Sequence, residues 1–138
     1  MKSIKISRQH IDRLIQHARA GAPEEVCGIL AGTDDEVSEV FEMANTEHSP
    51  VSYFMDPKEQ FQVMKAIREM GLRMVAIYHS HPASEAFPSA KDVRLAFYDD
   101  LAYIIISLMN DEPVVRAFSI KEGRVEELKI VTAWMECP

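Results

Sequence analysis

The sequence predicts an α/β fold of the mixed α+β kind, in which about six strands form one sheet with helices on either side. Three observations predict it: short apolar runs of strand length, two segments with helical periodicity, and sequential strands joined by tight turns, which make the sheet mixed rather than purely parallel. With 138 residues, of which 47% are hydrophobic and 27% charged, the chain is expected to form a single domain over residues 1–138.

The first half of the chain predicts an edge strand, a helix, a β-hairpin and a second helix. Ser7 suits the start of the first helix and Gly21 its end, whereas Asp56 suits the N-cap of the second helix, Pro57 its first turn and Gly71 its end. In chain order, these elements are predicted at residues 4–6, 7–21, 26–30, 37–44 and 56–71.

The second half predicts a buried strand, a helix that starts at Ser89, a central strand and a second hairpin. The helix is predicted to carry apolar residues at Val93, Leu95, Ala96 and Phe97. The strands are predicted at residues 74–81, 103–108, 114–120 and 125–131, of which the largely β-branched run 103–108 is typical of a strand covered on both faces. The tail 132–138 predicts no element, although Trp134 and Met135 could cover a sheet edge or a partner.

Composition and charge exclude several classes of protein. A net charge of −7, with no cluster of Lys or Arg, argues against a nucleic-acid partner. The sequence has neither a signal-peptide pattern nor an apolar segment near the roughly 18 residues of a membrane span, so we expect no membrane partner and a cytoplasmic location. Cys27 and Cys137 make no disulfide framework, and Cys27 is expected to pack as a small hydrophobic residue.

The fourth predicted strand ends in a pair of histidines. Because side chains alternate along a strand, His79 and His81 share one face, which the pattern also assigns to Val75 and Ile77. Pro82 cannot donate to a sheet and should end the strand. Two imidazoles are therefore expected side by side at the strand end.

An aspartate is predicted to meet these rings from the next helix. Ser89 fits the N-cap of that helix and Asp92 its third position, where free backbone N–H groups favour a carboxylate. Two neutral imidazoles and one carboxylate, with a fourth position open to water, form the donor set of a catalytic zinc site. The alternative is a pair of partly buried histidines beside a variant capping box. The combination at this spacing favours the metal, and we take His79, His81 and Asp92 as candidate Zn²⁺ ligands.

Two acidic residues, Glu24 and Glu25, lie directly before the first strand of the first hairpin. If this strand runs antiparallel to the histidine strand, Glu25 lies at the same end of the sheet as the histidines. Taken without other information, Glu25 reads as a solvated carboxylate at a strand entry, and Glu24 is the competing candidate for a functional role.

The remaining histidines give weaker signals. His10 and His17 lie on the first predicted helix and are interpreted as surface or boundary residues. Glu47 and His48, in the loop before the second helix, are minor candidates for lining a site.

These motifs resemble a known family. The spacing His79-x-His81, seven residues, Ser89, two residues, Asp92 is similar to the signature of the JAMM (MPN domain) metalloproteases, and the segment that starts at Glu25 resembles their upstream glutamate motif. The resemblance spans nearly the whole chain and implies a curved sheet of cytidine-deaminase-like architecture, with the metal at one sheet edge. It also implies that Glu25 is the catalytic general base and acid, and that Ser89 donates a hydrogen bond to the oxyanion.

The resemblance further implies a substrate class. The short chain looks like the small stand-alone prokaryotic members, which implies a zinc-dependent peptidase or isopeptidase that hydrolyses the amide bond after the C-terminal Gly-Gly tail of a ubiquitin-like or sulfur-carrier protein. Two alternatives stay open: a catalytically silent MPN scaffold module, and a zinc amidase that acts on a small molecule. A homodimer, and gating of the site by the loop 82–88, are left open as well.

Overall fold

Seven strands and three helices make up the part of the chain that the computed structural model describes, residues 1–132. Both hairpins, both long helices and the strand that carries the histidines form as predicted. The predictions about Trp134 and Met135 lie outside the described residues. In chain order the elements are β1 (Ser3–Lys5), α1 (Arg8–Gly21), β2 (Cys27–Thr33), β3 (Glu36–Met43), α2 (Pro57–Glu69), β4 (Arg73–His81), α3 (Ala90–Arg94), β5 (Ala102–Ser107), β6 (Val114–Lys121) and β7 (Arg124–Val131).

The strands form one mixed sheet in the order β1-β3-β2-β4-β5-β6-β7, which closes into a barrel. The two hairpins and the β2–β4 and β5–β6 pairs are antiparallel, whereas β4–β5 and both pairings of β1 are parallel. The sheet has seven strands where about six were predicted, and β1, predicted at an edge, lies between β7 and β3 instead. β1 closes the barrel because it pairs with β7 along its length and with β3 at Lys5 and Glu36.

The two long helices begin where their caps predict. The Ser7 side chain accepts a hydrogen bond from the backbone N–H of His10, and the Asp56 side chain accepts one from that of Lys58, with Pro57 at the first position of α2. After α2, Gly71 adopts a positive φ of 73°, a backbone conformation that is unfavourable for residues with a side chain and that glycine adopts readily.

The third helix is shorter than the sequence predicts. α3 has five residues and ends at Arg94, so Leu95, Ala96 and Phe97 lie beyond it. Leu95 and Phe97 are 45% and 76% exposed. A helix is stabilised mainly by burial of its apolar face, and these exposed side chains supply no such burial.

The sheet separates two apolar cores. One core contains the apolar side of α1 and includes Ile4, Leu14 and Tyr78; the other lies on the opposite face, where Ile67 of α2 and Ile105 of β5 are buried. All six residues of β5 are buried, which confirms the prediction of a strand covered on both faces.

A β-bulge changes the face of one predicted residue. β2 pairs Leu30 with Ala76 and Ala31 with Met74, so Val75 is an extra residue in β4. Val75 consequently packs with Ala76 in the core of α1, and not on the face of Ile77. The assignment of Val75 to the histidine face was therefore wrong, because strict alternation holds only from Ala76 onward.

Across the part of the chain that the structure describes, residues 1–132, no helix combines the length and the apolar character needed to cross a lipid bilayer.

Gly28 of β2 lies under the ring of Tyr78, which gives a test of this packing. A Cβ atom at Gly28 would lie 2.3 Å from Cε2 of Tyr78 and 2.5 Å from the carbonyl oxygen of Phe41. We expect Gly28→Ala to lower the free energy of unfolding by about 3 kcal/mol, as overpacking against ring and backbone does. Gly123→Ala is the control, since Gly123 has open space and only a positive φ, which costs about 1 to 2 kcal/mol. Urea unfolding measures both, and equal losses would contradict the packing described.

Cys27 gives a second test. Its side chain is buried in the core under α2, and burial raises the pKa of its thiol to about 12. Because the thiolate is the reactive form, we expect Cys27 to resist iodoacetamide at pH 8 in the folded protein and to react after unfolding in urea. In a Cys137→Ser variant Cys27 is the remaining cysteine, so mass spectrometry reports its alkylation directly. Rapid alkylation of the folded protein would contradict the burial of Cys27.

Candidate metal centre

Both candidate histidine ligands lie at the carboxyl end of β4. His79 and His81 are 2% and 4% exposed, and their Nε2 atoms lie 3.1 Å apart. β4 is paired on both sides at this level, with Cys27 of β2 opposite His79 and Ser107 of β5 opposite His81. Two sheet neighbours therefore fix the backbone from which the rings project.

Asp92 reaches the two rings from the first turn of α3. The helix begins with a capping box, in which the Ser89 Oγ accepts the Asp92 N–H at 3.1 Å and the Asp92 Oδ2 accepts the Ser89 N–H at 2.9 Å. The same Oδ2 lies 3.1 Å from the Nε2 atoms of both His79 and His81. Local capping thus aims the carboxylate at the histidines.

The three side chains fit a metal ion. Their ligand atoms form a triangle with sides of 3.1 Å. A tetrahedral ion with bonds of 2.0–2.2 Å needs ligand atoms about 3.3 to 3.6 Å apart, close to the observed spacing. Among residues 1–132, one group of potential metal ligands brings its donor atoms this close together, and it consists of His79, His81 and Asp92.

The charge states suit a cation. Burial lowers the pKa of His79, which keeps the ring neutral. Burial alone would raise the pKa of Asp92, but hydrogen bonds from both histidines and from the Ser89 N–H outweigh it and hold that pKa well below its usual range. For His81, burial is outweighed by hydrogen bonds to Asp92 and to the Glu85 carbonyl, which raise its pKa. The centre therefore attracts positive charge.

The carbonyl of Glu85 fixes the tautomer of His81. His81 Nδ1 lies 2.8 Å from this oxygen, and because a carbonyl only accepts, Nδ1 carries the proton. When the Nε2 proton that His81 shares with Asp92 is lost, the neutral ring has its lone pair on Nε2 and can bind a metal there, as in many metal-binding histidines. The sequence assigns Glu85 no role, since a backbone carbonyl leaves no signature in residue type.

His79 is held differently. Its Nδ1 is buried and has no hydrogen-bond partner among the described residues. Instead, the ring of Tyr53 stacks on it, with the ring centroids 4.6 Å apart and the planes inclined by 26°. Sequence analysis missed Tyr53, because it lies in a loop 26 positions earlier with no local pattern linking it to β4.

Glu25 lies at the same end of the sheet as the histidines. β2 pairs antiparallel with β4, which is the condition under which the sequence places Glu25 here. The pairing continues beyond the strand end, where Val26 donates its N–H to Ser80 Oγ at 2.8 Å and accepts the Ser80 N–H at 3.0 Å. Ser80 thus joins the two segments through both its side chain and its main chain. The backbone of Glu25 is also fixed. Its N–H donates a hydrogen bond to the Ser49 carbonyl, and its carbonyl accepts one from the Asn45 side chain.

The Glu25 side chain is buried, not solvated. It is 4% exposed, and its Oε1 accepts no hydrogen bond from the described residues. Burial raises its pKa to about 7, while the charge of His81 opposes this rise. A carboxyl group with such a pKa can accept and release a proton near neutrality. Glu24, the competing candidate, instead points to His48 at the surface, with 3.4 Å between Oε1 and Nδ1.

Ser89 is exposed and has one visible task. Its Oγ serves as a hydrogen-bond acceptor in the capping box, which leaves the hydroxyl proton free to donate elsewhere. The structure thus shows the capping role, and the oxyanion role of Ser89 stays a prediction.

The loop between the ligands is anchored on the barrel. Ser107 of β5 donates its hydroxyl to the Ser84 carbonyl at 2.5 Å. The ring of Phe87 packs 5.4 Å from that of Phe118, and the guanidinium of Arg116 lies 5.2 to 6.0 Å from both rings. These contacts favour a fixed wall over a gate for the loop 82–88.

The weaker candidates lie outside the ligand triangle. His17 donates to or accepts from the Tyr78 hydroxyl at 2.7 Å, on the face of the sheet opposite the metal centre, and His10 is half-buried on the same helix. Glu47 pairs with Lys91 at 3.3 Å, and His48 is exposed.

Fold and site together define the class of protein. The protein DSY2949 from Desulfitobacterium hafniense has a solved structure that superposes with a TM-score of 0.86 over 94% of this chain and 92% of that chain, at 40% identity. With two histidines, an aspartate and a buried glutamate gathered at one sheet end, the chain is a hydrolase of the JAMM metalloprotease class.

The sequence comparisons identify the family. Residues 7–121 match the family described as prokaryotic homologs of the JAB domain. The CysO-cysteine peptidase of Mycobacterium tuberculosis is 38% identical over 120 residues, which cover 85% of this chain and 82% of the relative. The desampylase of Haloferax volcanii is 40% identical over 103 residues, which cover 70% of this chain and 74% of the relative. The chain belongs to this prokaryotic JAB family.

Removing one ligand tests the centre. We expect His81→Ala to weaken metal binding by more than about a hundredfold, which exceeds the usual loss when a residue that only supports a ligand is removed. His48→Ala is the matched control, because His48 is exposed and outside the triangle. Elemental analysis after dialysis gives the metal content, and circular dichroism checks the fold. Equal metal content in both variants would contradict the assignment.

Proposed function

We propose that the chain is a single catalytic domain that uses zinc to hydrolyse the amide bond after the C-terminal Gly-Gly tail of a ubiquitin-like or sulfur-carrier protein. The observation that supports it most is the buried Glu25 beside the triangle of His79, His81 and Asp92. The names of the two relatives, CysO-cysteine peptidase and desampylase, support a substrate of this class.

In this proposal His79, His81 and Asp92 hold the ion. The donor set of two imidazole nitrogens and one carboxylate oxygen is that of catalytic zinc sites, and the second ring nitrogen of His81 is already oriented by Glu85. When bound, zinc acidifies water and polarises a carbonyl group.

Glu25 moves the proton. Its carboxylate accepts a proton from the attacking water as the water oxygen bonds to the scissile carbonyl carbon. It then gives that proton to the leaving nitrogen as the C–N bond breaks, which yields a free amine and a C-terminal glycine carboxyl group that loses its own proton to solvent. The pKa of about 7 allows both halves of this task at neutral pH. Ser89, whose hydroxyl proton is free, would donate a hydrogen bond to the carbonyl oxygen as negative charge develops there.

The surrounding sheet limits how the tail can approach. β4 pairs with β2 on one side and β5 on the other, so the tail cannot add to the strand that carries the histidines. It must reach the centre over a part of the surface other than an edge of β4. Glycine suits this path because the backbone can then lie close to the protein surface without a side chain to accommodate.

The buried Glu25 argues against a catalytically silent scaffold. A module that only supports assembly has no need for a buried glutamate whose Oε1 finds no hydrogen-bond partner within residues 1–132, since burial of a carboxyl group without a partner costs stability. Here all five predicted positions, Glu25, His79, His81, Ser89 and Asp92, keep groups suited to hydrolysis.

A fusion substrate tests the reaction. We expect the zinc-loaded protein to cut a ubiquitin-like carrier extended beyond Gly-Gly at the bond after the second glycine, and a chelator to abolish the cut, as read by intact mass. Cleavage of small amides but of no carrier fusion would favour the small-molecule amidase. A metal-loaded protein that cuts neither would favour the scaffold.

Glu25→Gln tests the proton carrier. Because the amide cannot accept a proton, we expect kcat to fall by about a hundredfold to ten-thousandfold while zinc content stays at the wild-type level. Glu24→Gln is the matched control one residue earlier, with its side chain at the surface, and should keep nearly full activity. A Glu25→Gln variant as active as Glu24→Gln would remove Glu25 from the mechanism.

A further inference from the structure

The two histidines of the metal centre are supported in different ways. A metal-binding histidine usually donates the N–H of its second ring nitrogen to a nearby acceptor, which fixes the orientation of the ring. His81 follows this rule through the Glu85 carbonyl, 2.8 Å from its Nδ1. His79 does not, since its Nδ1 is buried and has no hydrogen-bond partner within residues 1–132. The orientation of the His79 ring is therefore set by packing.

Tyr53 supplies this packing from the loop before α2. Its ring stacks on that of His79, with 4.6 Å between the centroids and 26° between the planes. The torsion about the Cβ–Cγ bond of a histidine is broad, so an aromatic face against the imidazole restricts a rotation that the side chain itself leaves open. Tyr53 also packs against the core under α2, which holds its own ring in place. The stack thus keeps Nε2 of His79 directed at the ligand triangle.

The same contact favours a bound cation. The face of a phenol ring carries negative charge density, and an imidazole that shares its lone pair with a divalent ion becomes electron-poor. A stacked Tyr53 therefore stabilises the metal-bound form of His79 more than the free form. An aliphatic side chain of similar size lacks this preference.

One buried amide fixes the segment that carries Tyr53. Asn45 is 8% exposed, and its side chain binds the main chain on both sides of the stacking tyrosine. Its Nδ2 donates to the Ser52 carbonyl at 3.0 Å, and its Oδ1 accepts the Phe54 N–H at 3.2 Å. Nδ2 also donates to the Glu25 carbonyl at 3.0 Å. The Asn45 amide therefore joins the stacking segment to the backbone of the glutamate beside the metal centre.

These contacts define a support for the centre. The step rests on the proposed function, because it takes His79 as a zinc ligand. We propose that Tyr53 is a positioning residue whose stacked ring takes the place of an Nδ1 hydrogen bond at His79, and that Asn45 sets its position. The support links two parts of the centre, since the amide that fixes the stack also fixes the backbone of Glu25.

Two substitutions of Tyr53 separate the ring from its hydroxyl. We expect Tyr53→Leu to weaken zinc binding by about tenfold to a hundredfold, the usual loss when a group that supports a metal ligand is removed. Tyr53→Phe keeps the stacked ring and should stay within about threefold of the wild type. Competition with a chelator of known affinity gives the Kd for zinc. The visible absorption spectrum of the cobalt-loaded protein reports the ligand geometry, and we expect Tyr53→Leu to alter it and Tyr53→Phe to preserve it.

Phe54→Leu is the matched control one residue later. The Phe54 side chain is 51% exposed, and its bonds with Asn45 and Thr46 use the main chain, so the substitution leaves them in place. We expect its zinc Kd and cobalt spectrum to match those of the wild type, and circular dichroism verifies the fold of each variant. Equal losses in Phe54→Leu and Tyr53→Leu, or a Tyr53→Phe variant as weak as Tyr53→Leu, would overturn the proposal.

A double-mutant cycle tests the role of Asn45. Asn45→Asp sets an oxygen, in place of a donor, against the two carbonyls that the amide binds. We expect it to weaken zinc binding, and to weaken it less in the Tyr53→Leu background, because residues that act through one contact are not additive. Asn110→Asp, at an exposed turn, is the control for the added charge. If Asn45→Asp does not fold, Asn45→Ser removes the amide without a charge, and additive losses in either cycle would overturn the role of Asn45.

The outcomes distinguish this inference from the proposed function. A wild type that cuts the carrier fusion, beside a Tyr53→Leu variant that binds zinc as tightly, would overturn the support and leave the proposed function standing. A wild type that binds no zinc would overturn the proposed function and the support with it.

Discussion

The pairing of β2 with β4 is the constraint on which the site depends. Its antiparallel register places Cys27 opposite His79, so the segment before β2 ends beside the last residues of β4. The two hydrogen bonds between Val26 and Ser80 extend this pairing past the strand end. A glutamate and a histidine pair more than fifty positions apart therefore meet through main-chain geometry, and the buried location of Glu25, which raises its pKa, follows from the same contact.

One carboxylate oxygen serves two purposes. Asp92 Oδ2 closes the capping box of α3 and completes the ligand triangle. The cap stabilises the first turn of a helix with only five residues, which has little apolar burial of its own. Helix start and metal centre are thus coupled, because a shift of the Ser89 cap would move Oδ2 away from both rings.

Much of this arrangement could be predicted from sequence, since it depends on local rules. Alternation along a strand places His79 and His81 together, and capping preferences place Ser89 and Asp92. The errors arise where long-range packing decides the outcome. The bulge at Val75 depends on how β2 meets β4, and the barrel closes through a pairing of β1 that three residues cannot signal. Likewise Tyr53 and the Glu85 carbonyl act through tertiary contacts without any pattern in the residue types.

The segment that joins the second histidine to the aspartate contributes through its main chain. Ser84 and Glu85 use their carbonyl oxygens, one bonded to Ser107 and the other to His81, while Phe87 secures the far end against the barrel. The identity of the side chains at positions 84 and 85 is therefore of little consequence to the centre, whereas the number of residues is critical. An insertion or deletion here would shift both oxygens at once and leave His81 free to rotate or change its tautomer, so this segment tolerates substitution but not a change in length.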